Sequence, residues 1–127
     1  MKPRIRILLI DDDEAIREFV SMALGDEGYQ IITAADGAAA LDLIDCYPPS
    51  LILLDMRMPL LNGWSFAQVY RQLPGPHVPI IMLTAARDAV DYAAQIDADS
   101  FLAKPFDLSA LLDLVEQYTR HIGTDIQ

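Results

Sequence analysis

Residues 51–59, LILLDMRMP, constrain the fold more than any other stretch, because four apolar residues run directly into a single carboxylate, Asp55. An unbroken apolar run bounded by turn residues is typical of a strand that is buried on both faces of a parallel sheet. Three more strand-like runs end on polar residues in the same way. They are residues 5–10 before Asp11 and Asp12, 80–83 before Thr84, and 101–103 before Lys104. The sequence thus predicts four strand ends that carry three acids, one hydroxyl and one ammonium.

Between these runs, apolar residues recur at the three- and four-residue spacing of helices with one buried face. Helices are predicted over residues 15–27, 36–45, 65–73, 86–96 and from 107 onward. Asp13 and Asp107 are predicted N-caps. Gly28 is expected to end the first helix in the left-handed conformation, before a further strand over 29–34. Five strands that alternate with five helices indicate an α/β fold in one domain, residues 1–127, with a doubly wound parallel sheet.

The acids that follow the first and third strands meet only if those strands are neighbours, as in the flavodoxin-like strand order 2-1-3-4-5. In that order Asp11, Asp12 and Asp55 share one crevice at the carboxyl edge of the sheet. Three like charges at close range need a proton or a cation between them. Mg²⁺ prefers oxygen ligands and is typically held by one or two carboxylates together with phosphate oxygens. The sequence therefore predicts a Mg²⁺ site that handles a phosphoryl group.

Lys104 is one of only two lysines in the chain, and the other, Lys2, stands at the N-terminus. A carboxylate can attack a phosphoryl group as a covalent nucleophile when a metal and cationic donors neutralise the phosphoryl oxygens. We therefore predict that Asp55 is the nucleophile and that Lys104 is its ion-pair partner. Asp11 and Asp12 are the other predicted metal ligands. Thr84 is expected to donate a hydrogen bond to the phosphoryl oxygens.

Five stretches stand out together: LLIDDDEAIR, DEGYQIITAADG, SLILLDMRMPLLNGW, PIIMLTA and FLAKPF. In this order and spacing they resemble the receiver domains of bacterial two-component response regulators over nearly the whole chain. The resemblance implies that Asp55 accepts a phosphoryl group from a histidine kinase or phosphotransfer domain. It also implies that the backbone carbonyl of Arg57 completes the Mg²⁺ site, and that the bond from Lys104 to Pro105 is cis.

The resemblance further implies a coupled switch of Thr84 and Phe101, in which the hydroxyl moves toward the phosphoryl group and the aromatic ring turns inward. The surface built by the predicted helix over 86–96, the fifth strand and the last helix would then change and bind a downstream protein target. Since no output domain follows the last helix, we expect a stand-alone receiver, of the chemotaxis or sporulation-relay kind. Such a protein is not an enzyme beyond its own phosphorylation and dephosphorylation.

Charge and composition limit the kinds of partner that the protein can bind and the compartment in which we expect it. The net charge of −10, from 19 acidic and 9 basic residues, argues against direct nucleic-acid binding, which needs clustered Lys and Arg. One cysteine, no signal-peptide pattern and no apolar stretch of membrane-spanning length predict a soluble, cytoplasmic protein with no membrane contact.

The first helix is apolar over a wider arc than one buried face requires. Its apolar residues are Ala15, Ile16, Phe19, Val20, Met22, Ala23 and Leu24. Ile16, Phe19, Val20, Ala23 and Leu24 follow the spacing of one buried face. We leave two interpretations open: a deeply packed helix, or an arc that partly docks the helical bundle of a kinase or phosphotransfer partner.

A phosphatase of the haloacid dehalogenase type is the alternative function, because these enzymes also start from an apolar strand ending in Asp-x-Asp, here Asp11 and Asp13. Motif order argues against it. Such enzymes have a second acidic group at a strand end after their lysine, whereas the acids after Lys104 lie on or beyond the last predicted helix. A flavin site is disfavoured because acids would repel its phosphate, and a binding-only receiver is disfavoured because the acids, Thr84 and Lys104 are all present.

Overall fold

A computed structural model describes residues 5–56, 58, 61–85 and 98–120 of the chain. Its five strands are β1 Arg6–Ile10, β2 Gln30–Ala34, β3 Leu51–Asp55, β4 Ile80–Ala85 and β5 Ser100–Lys104. All pair in parallel, in the order β2-β1-β3-β4-β5. The predicted fold class and strand order are confirmed. Because Ile10 is in register with Leu54, the next residues, Asp11 and Asp55, emerge side by side.

The described part of the chain contains four helices. They are α1 Glu14–Asp26, α2 Gly37–Cys46, α3 Gly63–Gln72 and α4 Leu108–Thr119. The fifth predicted helix, over residues 86–96, lies outside the described residues. None of the helices in the described ranges combines the length and the apolar content that a membrane crossing requires.

Three of the helices begin after an N-cap residue whose side chain accepts hydrogen bonds from backbone N–H groups of the first turn. Asp13 accepts hydrogen bonds from two backbone N–H groups of α1, as predicted, and Asp36 accepts one from Ala39. Asn62 caps α3, which therefore begins two residues before the predicted start. Asp107 stands at the N-cap position of α4, as predicted, although its side chain accepts no hydrogen bond from that helix. Gly28 has a φ of 97°, as its predicted left-handed conformation requires.

The sheet is covered on both faces, which explains the apolar run of β3. Ile52 and Leu54 pack into a cluster with residues of α2 and α3, and Leu51 and Leu53 pack into a second cluster with residues of α1 and α4. All four side chains are fully buried. Since neither face of β3 meets water, a polar side chain at any of these four positions would lose its hydration.

Helix α1 buries a narrower stripe than its composition suggests. Val20 and Leu24 are fully buried, whereas Phe19 is 49% exposed and Met22 is 71% exposed. The prediction that Phe19 packs inward is wrong, because the buried stripe follows the four-residue spacing through Val20 and Leu24, and Phe19 and Met22 form the row beside it. Deep packing of the whole arc is therefore wrong, and docking of a partner on part of it stays a prediction.

Candidate functional site

Asp11 is fixed at the joint between β1 and α1. It is fully buried, and its backbone N–H donates to the carbonyl of Ala34 at 3.1 Å. Its carboxylate Oδ1 accepts from the backbone N–H of Asp13 at 2.9 Å, and its carbonyl oxygen accepts from Nη1 of Arg17 at 2.8 Å. A buried carboxylate needs such partners to remain charged. The local backbone thus determines where this acid points.

Lys104, the last residue of β5, forms ion pairs with two of the acids. Its Nζ lies 3.3 Å from Oδ1 of Asp55 and 3.0 Å from Oδ2 of Asp11. The sequence predicted the partnership with Asp55, but not the shorter contact with Asp11. The lysine side chain is 25% exposed, while those of Asp11 and Asp55 are 0% and 7% exposed. One ammonium is thus shared between two buried carboxylates.

The electrostatic surroundings keep Lys104 charged. Burial by itself lowers the pKa of the ammonium, but the hydrogen bond with Asp11 and the charges of Asp11 and Asp55 outweigh that effect. The pKa of Lys104 therefore lies above its usual value of 10.5. At neutral pH the site holds a permanent positive charge between its two buried acids.

Three carboxylates form a group that could hold a cation. Asp11, Asp12 and Asp55 each offer an oxygen, and these oxygens lie within 4.8 Å of one another. The three carboxylates and the ammonium of Lys104 leave a formal charge of −3 + 1 = −2. Hard oxygen donors with residual negative charge suit Mg²⁺. The residues present therefore fit the predicted metal, whereas Arg57, the source of the implied carbonyl ligand, lies outside the described residues.

The two predicted switch residues lie on the two strands at one side of the sheet. Thr84 is 4% exposed near the end of β4, and its register partner on β5 is Ala103. Phe101 is 40% exposed and pairs in register with Met82. The aromatic side chain is therefore largely outside the core in this structure. The peptide bond between Lys104 and Pro105 is cis, as the resemblance implied.

Two glycines approach the segment after Asp55 too closely for a side chain, a feature that the sequence analysis missed. A Cβ on Gly63 would lie 2.7 Å from Cα of Met56 and 2.8 Å from the carbonyl oxygen of Asp55. A Cβ on Gly37 would lie 2.6 Å from the carbonyl oxygen of Leu61. The Asn-Gly and Asp-Gly pairs were the available signal, but they indicate a turn or helix start and not such a contact.

The position of Asp13 argues against the phosphatase alternative. In that function Asp13 would be the second acid of the Asp-x-Asp motif. Its Oδ1 instead accepts from the backbone N–H groups of Ala15 at 2.9 Å and Ile16 at 3.4 Å. This carboxylate therefore caps the start of α1.

Known proteins that are similar to this chain are response regulators. The sequence profile described as response regulator receiver domain matches residues 7–116. Response regulator MprA of Mycobacterium sp. (strain KMS) is 40% identical over 125 residues, which are 95% of this chain and 53% of that protein. MprA of Mycobacterium tuberculosis (strain ATCC 25618 / H37Rv) is 42% identical over 112 residues, 85% of this chain and 47% of that protein. The chain thus spans about half the length of these curated relatives.

Solved structures give the same result. The chemotaxis response regulator CheY4 of Vibrio cholerae matches with a TM-score of 0.82 and 32% identity, over 90% of this chain and 98% of that chain. The receiver domain of NtrX from Brucella abortus matches with a TM-score of 0.79 and 31% identity, over the same shares. These comparisons give no support to the phosphatase alternative. This chain belongs to the response regulator receiver domain family.

Proposed function

We propose that this domain is a phosphoacceptor switch of a two-component or phosphorelay system and that Asp55 is the acceptor. The observation that carries the proposal is the position of Asp55, 3.3 Å from the Lys104 ammonium and inside the group of three carboxylates. Asp11 is a poorer acceptor because its side chain is fully buried, whereas that of Asp55 is 7% exposed. Asp12 is exposed, but the Lys104 ion pairs in the described structure go to the other two acids.

The proposed reaction is phosphoryl transfer to a carboxylate. An oxygen of Asp55 attacks the phosphorus of the donor, and a P–O bond forms. The P–N bond of a phosphohistidine breaks, and its electron pair leaves with the imidazole; with an acyl phosphate, the bond to the acyl oxygen breaks instead. Lys104 is the cationic donor to the phosphoryl oxygens, and Thr84 is the hydroxyl donor. Mg²⁺, held by Asp11, Asp12, Asp55 and the carbonyl of Arg57, would neutralise charge on those oxygens.

The proposed output is a change of surface. Phosphorylation draws Thr84 toward the new group, and Phe101, now 40% exposed, turns inward. The face made by β5, α4 and the predicted helix over residues 86–96 then binds a protein target. The proposed donor is a histidine kinase or phosphotransfer domain, and the exposed Phe19 and Met22 of α1 are candidates for its docking. A reducing, cytoplasmic setting is part of the proposal, since Cys46 is free and exposed.

Incubation with acetyl phosphate and Mg²⁺, followed by intact mass measurement, tests the acceptor. We expect the wild type to gain one phosphoryl group and Asp55→Asn to gain none. Asp45→Asn is the matched control, because it removes an exposed carboxylate at the end of α2 and should label like the wild type. Equal labelling of the Asp55→Asn variant would exclude Asp55 as the acceptor. EDTA should abolish labelling of the wild type.

A further inference from the structure

Arg17 occupies an unfavourable place for a cation. It lies in the first turn of α1, where its backbone N–H donates to the carbonyl of Asp13 at 3.0 Å. The helix dipole favours acids at this end and bases in the last turn, and the last turn of α1 has no basic residue. A residue that breaks a local preference in this way is often found at a functional site. We therefore expect the Arg17 side chain to make a contact that offsets its unfavourable interaction with the helix dipole.

That contact is with the backbone of the metal-binding acids. Nη1 of Arg17 lies 2.8 Å from the carbonyl oxygen of Asp11, and this carbonyl belongs to the peptide group that joins Asp11 to Asp12. The other polar atoms of Asp11 are bonded to Ala34, Asp13 and Lys104. The side chain of Arg17 thus supplies the hydrogen bond to the one remaining polar atom of Asp11.

We propose that Arg17 is a positioning residue of the cation site: its guanidinium fixes the peptide between Asp11 and Asp12, so that both carboxylates keep their places. The inference rests on the proposed function, since it assumes that a divalent cation binds Asp11, Asp12 and Asp55. Residues that orient metal ligands without touching the metal typically contribute about 10–100-fold to metal affinity.

Loss of the Arg17 charge and loss of its hydrogen bond predict opposite changes in Mg²⁺ affinity, and this difference makes the inference testable. Removing a positive charge beside three acids should by itself strengthen the binding of a divalent cation. Removing the bond that holds the Asp11 peptide should weaken it. A weaker Mg²⁺ affinity in a folded, uncharged variant therefore reports that the Asp11 peptide is no longer held in place.

The chain offers a matched control at the other end of β1. Nη1 of Arg6 lies 3.2 Å from the carbonyl oxygen of Pro48, so this arginine also donates a guanidinium hydrogen bond to a backbone carbonyl. Arg6→Met removes the same charge and the same kind of bond as Arg17→Met. The two variants differ in which end of the strand they alter.

The experiment measures Mg²⁺ affinity by titration calorimetry at constant ionic strength, on the 127-residue chain and its variants. We expect Arg17→Met to bind Mg²⁺ about tenfold more weakly than the wild type. Arg17→Lys should remain close to the wild type because its ammonium can still donate to the carbonyl. Arg6→Met should match the wild type.

Arg17→Gln is the second variant, since it removes the charge but keeps a donor, and urea unfolding in EDTA identifies the variants that fold. We expect Arg17→Gln to bind Mg²⁺ more tightly than Arg17→Met, because it still offers a donor to the Asp11 carbonyl. The inference is overturned if Arg17→Met binds Mg²⁺ as tightly as the wild type or more tightly, if Arg17→Gln binds no more tightly than Arg17→Met, or if Arg6→Met weakens binding equally. A wild type that binds no Mg²⁺ would instead overturn the proposed metal site itself.

Discussion

The two ends of the sheet are built from the same strands but differ in how their polar groups are paired. At the carboxyl end, one ammonium is shared between Asp11 and Asp55, and the group of three acids retains a negative charge. At the amino end, Tyr70 accepts from the backbone N–H of Val78 at 2.9 Å, and Asp99 accepts from that of Ile80 at 2.8 Å. There, side chains pair with neutral backbone groups.

The surroundings of the amino end reinforce the contrast. A cavity of about 230 Å³ lies between the ends of α2 and α3, and its lining is largely proline and aliphatic. The ring of His77 packs edge-on against Tyr70, and its Nε2 lies 2.8 Å from the carbonyl oxygen of Leu73. Local pairing makes this end a stable support. The residual negative charge of the other end suits the cation that we propose to bind there, together with a phosphoryl group.

The largest expected effect on stability comes from adding a methyl group at Gly63, near the carboxyl end of the sheet. Gly63→Ala should lower the free energy of unfolding by about 2–3 kcal/mol, because its Cβ would meet backbone atoms of Asp55 and Met56 that cannot easily move. Urea unfolding measures the change. Gly25→Ala in α1 is the control, since its Cβ meets nothing within 4 Å and alanine favours the helix by about 0.5–1 kcal/mol. Equal stability of the two variants would contradict the close approach at Gly63.

Lys104→Met should give the next largest effect. In EDTA we expect a loss of about 2 kcal/mol, less than for a fully buried pair because the lysine side chain is 25% exposed. Saturating Mg²⁺ should restore most of the loss, because the ligand acids are intact. Urea unfolding in EDTA and in Mg²⁺ tests both statements. A variant that no longer binds Mg²⁺ would show that Lys104 holds the acids in place and does not merely balance their charge.

The same pair of proteins predicts a pH dependence. Because the pKa of Lys104 is raised in the folded state, its contribution is complete below the usual value of 10.5 and is lost as the pH rises through the folded pKa. The stability difference between wild type and Lys104→Met in EDTA should therefore be constant from neutral pH to the usual lysine pKa, and shrink above it. A difference that already shrinks near neutral pH would contradict the raised pKa.

Asp55→Asn should stabilise the metal-free protein by up to about 1 kcal/mol, since the amide removes two repulsions at the cost of one attraction to Lys104. Mg²⁺ should reverse the order: a hundredfold excess over Kd stabilises the folded state by about 2.7 kcal/mol, and the wild type should bind the ion more tightly. Urea midpoints of both proteins in EDTA and in Mg²⁺ measure this reversal. A lower midpoint for Asp55→Asn in EDTA would show that the attraction dominates.

The smallest effect should come from the amino end. Tyr70→Phe removes the acceptor for the N–H of Val78 and should cost about 0.5 kcal/mol, since this hydrogen bond is only partly buried. The loss should be the same in EDTA and in Mg²⁺, because no site charge changes. A Mg²⁺-dependent loss, again read from urea unfolding, would show that the two ends are coupled.

Much of the site was predictable because a parallel sheet brings the ends of its strands to one edge. The positions of Asp11, Asp55 and Lys104 followed from apolar runs and strand order alone. Other features depend on distances that no pattern contains. Periodicity could not tell that Phe19 lies just outside the buried stripe of α1, and sequence could not rank Asp11 above Asp55 as the nearer partner of Lys104. The contact of Arg17 with the Asp11 carbonyl depends on a side-chain path that only coordinates show.

The shared ammonium also makes cation binding an exchange equilibrium. Oδ2 of Asp11 is already bonded to Lys104, and a cation that uses this oxygen must displace a competitor belonging to the same chain. A tethered competitor acts at a high effective concentration that dilution cannot lower. The affinity of the acids for a divalent ion is therefore held below what three carboxylates alone would give. Occupancy of the proposed cation site would then follow the cation supply and the arrival of the proposed phosphoryl donor.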